Sequence, residues 1–156
     1  MITIYTDGSS RGNPGPGGWG GVIASEDKIV EIGGNEGHTT NNRMELMACI
    51  RSLEFSIFNF QFSKIQIYTD SEYVMKGITE WIHNWQKKNW KTAGRKPVLN
   101  QDLWQKLLQV VEGKNIEWKY VAGHTGIHLN ERADEIATVF ADGLKPSLYH
   151  GPRDKY

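Results

Sequence analysis

The chain has 156 residues, with 18 Lys plus Arg balanced by 18 Asp plus Glu, and 38% of it is apolar. That is the size of one domain and the composition of an ordered globular protein, which argues against disorder. No apolar run approaches the ~20 residues of a bilayer span, and the N-terminal residues lack the basic start and long apolar run of a signal peptide. Cys49 is the only cysteine and can form no internal disulfide, so a reducing, cytoplasmic setting is expected.

Ile2-Thr3-Ile4-Tyr5-Thr6 is an alternating β-branched run ending at Asp7, and a glycine-rich stretch from Gly8 to Gly18 follows it. Trp19 to Ala24 and Ile29 to Gly33 read as two more strands, with Glu26-Asp27 at the turn. The period then changes. Leu46, Ile50, Leu53 and Ile57 recur at steps of four, three and four, the buried stripe of a helix, with Asn41 or Asn42 as the expected N-cap.

Ile65 to Asp70 forms a fourth strand, followed by short helical patterns through Ile78, Trp81, Ile82 and Trp85. From Trp81 to Gln101 there is no acidic residue, while Lys87, Lys88, Lys91, Arg95 and Lys96 supply a basic patch that the neutral total conceals. Leu103, Leu107, Leu108 and Val111 mark another helix, Ile116 to Val121 a fifth strand, and Leu129, Ala133, Ile136, Ala137 and Phe140 a last amphipathic helix. The tail from about residue 145 carries little apolar content and is expected to be mobile. Strands followed by alternating strands and helices predict one α/β domain over 1–156: a five-stranded mixed sheet flanked by helices.

The strands at 2–7 and 65–70 echo each other, I-T-I-Y-T-D and I-Q-I-Y-T-D. Paired in parallel register, they would bring Asp7 and Asp70 to one sheet edge about 5 Å apart. Two carboxylates that close repel unless a proton or cation lies between them. Such hexapeptides also recur by chance, each Asp then simply starting a turn. Glu45 shares a line with Cys49 and Ser52 along the helix border, where small neighbours allow close approach to the sheet. Asp134 lies on the flank of the last helix, where a solvated acid is ordinary.

The segments Tyr5-Thr6-Asp7-Gly8-Ser9 with Gly12-Asn13-Pro14-Gly15, Thr40-Asn41-Asn42-Arg43-Met44-Glu45-Leu46, Tyr68-Thr69-Asp70-Ser71, and Val121-Ala122-Gly123-His124 with Asn130-Glu131-Arg132-Ala133-Asp134 resemble bacterial ribonuclease H of type 1, in order and spacing. The Trp81–Trp85 and Trp90–Ala93 segments resemble its basic protrusion, so the likeness runs from residue 2 to about 142.

The resemblance implies a sheet with helices on both faces and an endonuclease that hydrolyses the RNA strand of RNA–DNA hybrids, leaving 5′-phosphate and 3′-hydroxyl ends. It also implies that Asp7, Glu45, Asp70 and Asp134 bind two Mg²⁺ ions. An all-oxygen donor set suits hard Mg²⁺ or Mn²⁺, and a metal pair roughly 4 Å apart suits in-line displacement at one phosphate. His124, among glycines, is expected to assist proton transfer or product departure; His38, His83, His128 and His150 are unassigned.

Further implied are minor-groove contacts from Asn13, Asn41 and Asn42, whose amides both donate and accept. Contacts to the DNA strand are implied for Trp81, Trp85, Lys87 and Lys88, and a phosphate contact for Thr40 and Asn100. The substrate expected is thus an RNA–DNA hybrid, met by a monomer with no membrane and no obligate protein partner.

Two positions depart from the family pattern. Glu72 stands where relatives commonly carry Gln, and Arg11 where they often carry an apolar residue, so hybrid affinity is where a difference is expected. Two other functions compete: a catalytically silent polynucleotide-binding module, and a related exonuclease or transposase-type nuclease. Four converging acids argue against the first, because binding a polyanion gains nothing from them. The asparagines and the tryptophan–lysine protrusion argue against the second.

Overall fold

The alternation in Ile2-Thr3-Ile4-Tyr5-Thr6 sends successive side chains to opposite faces of a strand, and that strand lies inside the sheet. In the computed structural model, which describes residues 1–122 and 128–156, β1 (Ile2–Ser10) pairs antiparallel with β2 (Gly15–Ala24) and parallel with β4 (Ile65–Thr69). β3 (Lys28–Thr39) extends one side and β5 (Ile116–Tyr120) the other, giving the order β5-β4-β1-β2-β3 with a short strand, β6 (His150–Pro152), beyond β3. The expected mixed sheet is present, with six strands rather than five.

The sixth strand comes from the tail expected to be mobile. Ile29 pairs with Gly151 and Val30 with His150, and the buried carboxylate of Glu31 ties the tail down. It accepts hydrogen bonds from Tyr149 N at 2.8 Å, Tyr156 Oη at 2.5 Å, and Arg132 Nε and Nη2 at 2.8 and 3.0 Å. Low apolar content does not make this segment mobile, because it is held by a buried ion pair and two tyrosines rather than by aliphatic packing.

The glycine-rich segments are strand rather than loop. Gly17 to Gly21 on β2 run opposite Glu36 to Ile32 on β3. The glycines make room for a helix: a side chain on Gly18 or Gly20 would overlap the backbone carbonyl of Ala137 or Ala133 in α5 (His128–Ala141). α1 (Asn41–Asn59) packs on the opposite face, and Thr40 caps it rather than Asn41 or Asn42, its Oγ1 accepting from Arg43 N at 3.2 Å.

Adjacent β2 residues divide the core accordingly. Ile23 packs with Ile4, Leu46, Ile50 and Ile67 under α1, whereas Val22 packs with Ala133, Ile136 and Phe140 under α5. Burying a side chain of this size contributes about 1.5–3 kcal/mol.

Between β4 and β5 lie α2 (Glu72–Lys76), a π-helical turn (Gly77–Trp81), α3 (Ile82–Lys87) and α4 (Gln101–Val111). A Cβ on Gly77 would overlap the ring of fully buried Trp104, so the absence of a side chain there lets α4 dock against the turn.

Candidate active site

The parallel register pairs Ile4 with Ile67 and Tyr5 with Tyr68, whose rings stack with centroids 4.7 Å apart. Continued by two residues, that register sets Asp7 beside Asp70, as the sequence echo predicts. Glu45 joins them from α1. Gly8 follows Asp7 on β1, and a side chain there would overlap the backbone nitrogen of Glu45. Because Gly8 has none, the N-terminal part of α1 settles onto the strand at Met44 and Glu45. The backbone N–H of Gly8 donates to Glu45 Oε1 at 3.0 Å and to Asp7 Oδ1 at 2.8 Å.

Further along α1, Thr6 Oγ1 lies 3.6 Å from Cys49 Sγ, and both Cys49 and Ser52 are fully buried. The small residues on this line do allow the close approach expected of them.

Carboxylate oxygens of Asp7, Glu45 and Asp70 all come within 4.8 Å of one another. Asp134, on α5, lines the same cleft of about 380 Å³, together with Gly8, Asn41, Asn42, Ser71, Glu72 and Tyr73. Among the described residues it lies outside the three-carboxylate group.

Burial pushes the Asp7 carboxyl up to about 8; Asp70 and Asp134 add repulsion, while the contact with Glu45 acts in the other direction. Burial also pushes Glu45 well above the ordinary carboxylate range, with Asp7 and Asp70 reinforcing the shift and the Gly8 N–H opposing it. Glu45 Oε2 is buried without a hydrogen-bond partner. Crowded acids held against their own repulsion, with one buried oxygen unsatisfied, suit a divalent cation with oxygen ligands. This acidic group can bind such an ion.

The other expected site residues fall into two groups. Asn13 and Asn41 are brought together, Asn13 Oδ1 accepting from Asn41 N at 3.0 Å, and Asn42 lines the acidic cleft. Thr40 is committed as the α1 cap, and Asn100 precedes α4 in a left-handed conformation at φ 60°.

Trp81, Trp85, Lys87 and Lys88 are not in the acidic cleft but on the neighbouring protrusion, where the lysines are exposed. Trp81 is partly exposed and its ring lies 6.0 Å from Trp85, which in turn packs on Trp90 and buried Trp104. Trp85 therefore supports the fold as well as the surface. His124 lies outside the described residues.

The two departures also have places. Arg11 makes a two-point ion pair with Asp142 at 2.6 and 3.1 Å, so its charge is already engaged at the end of α5. Glu72 faces Lys76 at 3.9 Å, an exposed pair worth little.

Gly8, Arg43 and Tyr73 belong to the site or its support with little local sequence signal. Gly8 was signalled only by its place directly after Asp7. Arg43 forms a fork with Asp102 at 2.9 and 2.8 Å and reaches Asn100 Oδ1 at 3.3 Å, a link between α1 and α4 with no local sequence signature.

A family model described as RNase H matches residues 1–142. The chain is 56% identical over 146 residues to a ribonuclease H from Cyanothece sp., covering 93% of this chain and 92% of that one. A ribonuclease HI from Caulobacter vibrioides is 52% identical over 144 residues, covering 92% and 93%. Among solved structures, LC9-RNase H1 superposes with a TM-score of 0.81 at 33% identity, covering 95% of this chain and 76% of that one. LC11-RNase H1, solved in complex with RNA/DNA hybrid, superposes at 0.69 with 29% identity, covering 92% and 98%. Matched in sequence and in fold along nearly its whole length by such enzymes, the chain belongs to the RNase H family and is an RNase H enzyme.

Proposed function

We propose that this chain is a single-domain endonuclease that hydrolyses the RNA strand of RNA–DNA hybrids and leaves 5′-phosphate and 3′-hydroxyl ends. The observation that carries the reading is the meeting of Asp7, Glu45 and Asp70 oxygens within 4.8 Å at the sheet edge, with Glu45 Oε2 buried and unsatisfied. Asp7, Glu45, Asp70 and Asp134 are the ligands for two Mg²⁺ ions, with Mn²⁺ an alternative. When bound, the ions supply charge neutralisation at the scissile phosphate and a lowered pKa for the attacking water.

The remaining work falls to the chain itself. The Gly8 N–H holds Asp7 and Glu45 in a common orientation before metal arrives. Asn13, in the turn between β1 and β2, and Asn41 and Asn42, at the start of α1, present amides to the minor groove, where the 2′-hydroxyl distinguishes the two strands. Thr40 and Asn100 receive a DNA phosphate. The exposed Lys87 and Lys88 with Trp81 take up the DNA backbone by charge neutralisation and sugar packing, and Trp85 braces them. His124 assists proton transfer or product departure. The enzyme acts as a cytoplasmic monomer.

A labelled RNA–DNA hybrid with both ends blocked tests this directly. Cleavage of the RNA strand in Mg²⁺ or Mn²⁺, its loss in EDTA, and no cutting of duplex DNA or single-stranded RNA are expected. Asp7→Asn and Asp70→Asn should each abolish cutting in a folded protein. Undiminished turnover in either would remove the ligand assignment, and protection by blocked ends would indicate an exonuclease.

A further inference from the structure

Three parts of the chain that are far apart in sequence meet at one buried ion pair. Glu31 on β3 accepts a two-point fork from Arg132 of α5, at 2.8 Å from Nε and 3.0 Å from Nη2, and its side chain is only 2% exposed. The rest of the guanidinium is also engaged: Nη2 donates to Ser147 O at 2.7 Å and Nη1 to Glu135 Oε1 at 2.6 Å. From the tail, the Tyr156 hydroxyl donates to Glu31 Oε2, and the Tyr156 ring lies 6.1 Å from that of His128, where α5 begins. The tail thus closes as a clasp over the N-terminal half of α5, and none of Glu31, Arg132 and Tyr156 lines the acidic cleft.

Arg132 and Asp134 lie two residues apart on that half of α5. At about 100° per residue they project from opposite flanks of the helix, with buried Ala133 between them. What Ala133 meets is a glycine: a Cβ on Gly20 would fall 2.7 Å from the Ala133 carbonyl oxygen. Backbone against backbone fixes how close the helix lies but offers little resistance to rolling about its axis, which comes from interlocked side chains. Larger buried side chains begin only at Ile136 and Phe140, a turn and more later. Asp7 and Glu45 share the Gly8 N–H, whereas Asp134 reaches the cleft as α5 presents it. A carboxylate about 6 Å from a helix axis moves about 1 Å for a roll of about 10°, and an error of about 1 Å is enough to spoil a ligand or catalytic constellation. Pinning one flank through Arg132 therefore fixes the other.

We propose that the Glu31–Arg132–Tyr156 clasp is a positioning device that sets the roll of α5 and with it the reach of Asp134 toward Asp7, Glu45 and Asp70, so that the metal affinity of the cleft depends on the C-terminal tail; this rests on the ligand assignment made above for Asp134. The fork suits the task because a planar guanidinium on a carboxylate fixes angle as well as distance, which a point charge does not. Its burial also shields it from screening by salt.

The test reads metal binding directly, by calorimetric titration of Mn²⁺ into the substrate-free protein, alongside the metal dependence of cleavage. Arg132→Lys keeps the charge and loses the fork; Tyr156→Phe keeps the ring and loses the hydroxyl, and is the milder change should the first not fold. Arg132→Lys should weaken Mn²⁺ binding at least about threefold and Tyr156→Phe about twofold, with KM for the hybrid within about twofold and the rate recovered by raising the metal concentration. Neither substitution should alter metal binding further in an Asp134→Ala background, as action through that residue requires. Leu107→Ala lowers stability in the core under α1 rather than under α5, and should leave Mn²⁺ affinity unchanged. Wild-type affinity in both clasp variants, an equal loss in Leu107→Ala, or a loss that persists without Asp134 would overturn the proposal and leave the clasp as a stabiliser of the tail. A wild-type protein that binds Mn²⁺ but leaves the hybrid uncut would count against the proposed function instead, and the titrations would still decide the role of the clasp.

Discussion

Asp7 and Glu45, from a strand and from near the start of a helix, are joined through one backbone N–H, that of Gly8, at 2.8 and 3.0 Å. The shared donor holds two carboxylates together although burial and mutual charge oppose their ionisation. Three consequences for metal and proton binding follow from this arrangement, and two others from the buried groups farther away.

The metal-free protein should lose stability as pH rises from about 4 to about 8. Asp7 is raised from its ordinary value to about 8 in the folded state, so over that window the native state binds more protons than the unfolded one and the slope of stability with pH is negative. Asp7→Asn should remove that part of the dependence and raise stability by about 1–3 kcal/mol at pH 8. Chemical denaturation of both proteins in EDTA at pH 5 and pH 8 checks it; an equal difference at the two pH values would refute the linkage.

Binding of Mg²⁺ near pH 7 should release protons. A cation stabilises the ionised form of Asp7, which burial raises to about 8, and also favours ionisation of Glu45, which burial and its acidic neighbours oppose. Calorimetric titrations in buffers of different ionisation enthalpy should give about one proton released per protein at pH 7, falling as pH approaches 9.

Gly8→Ala should cost more than a methyl group ordinarily would. The added carbon meets the Met44–Glu45 backbone, so α1 must move away from β1 and take Glu45 with it. A stability loss of about 1–3 kcal/mol is expected, as for overpacking elsewhere. The Mg²⁺ concentration for half-maximal activity should rise by at least about tenfold. Wild-type metal dependence in a stably folded variant would show that Glu45 is not placed by this contact.

Cys49 should resist thiol reagents in the native protein. It is fully buried, and burial pushes its thiol up to about 12, so little reactive thiolate exists at neutral pH. Reaction with a colorimetric disulfide at pH 8 should be slow when folded and rapid in denaturant.

Arg132→Met should destabilise the protein by about 3–5 kcal/mol, the cost of leaving one member of a buried ion pair unpaired. Glu31 has a side chain only 2% exposed. Burial opposes its ionisation, but the bonds from Arg132, Tyr156 and Tyr149 win and hold the carboxyl below its ordinary range. A depressed acid contributes stability above its unfolded pKa that is lost as pH falls through the folded value. The difference between the two proteins should therefore narrow toward acid pH, as denaturant titrations would show. Proteolysis of the tail after Ala141 should also become faster in the variant.

Much of this protein was readable from local pattern. Period-two alternation located the first strands, and four-three-four spacing located α1, because each reports which side chains an element can bury. The echo of the two Tyr-Thr-Asp endings signalled the Asp7–Asp70 pairing, since parallel strands in matching register end side by side. The last residues were misjudged: their order depends on Glu31, more than a hundred residues earlier, which no window of sequence contains.

The identities of the four acids, the asparagines and the basic stretch were written in the chain, since donor type and charge belong to each residue itself. Which oxygens meet, and at what distance, was decided only by packing, where Gly8 admits Glu45, and the glycines of β2 admit α5 and with it Asp134. The direction of the hydrogen bonds from Arg43 through Asn100 to Tyr73 also needed three separated elements in contact. A hydrogen bond's partner is a fact of space rather than of sequence neighbourhood, so the run from Arg43 through Asn100 to Tyr73 exists only in the folded chain.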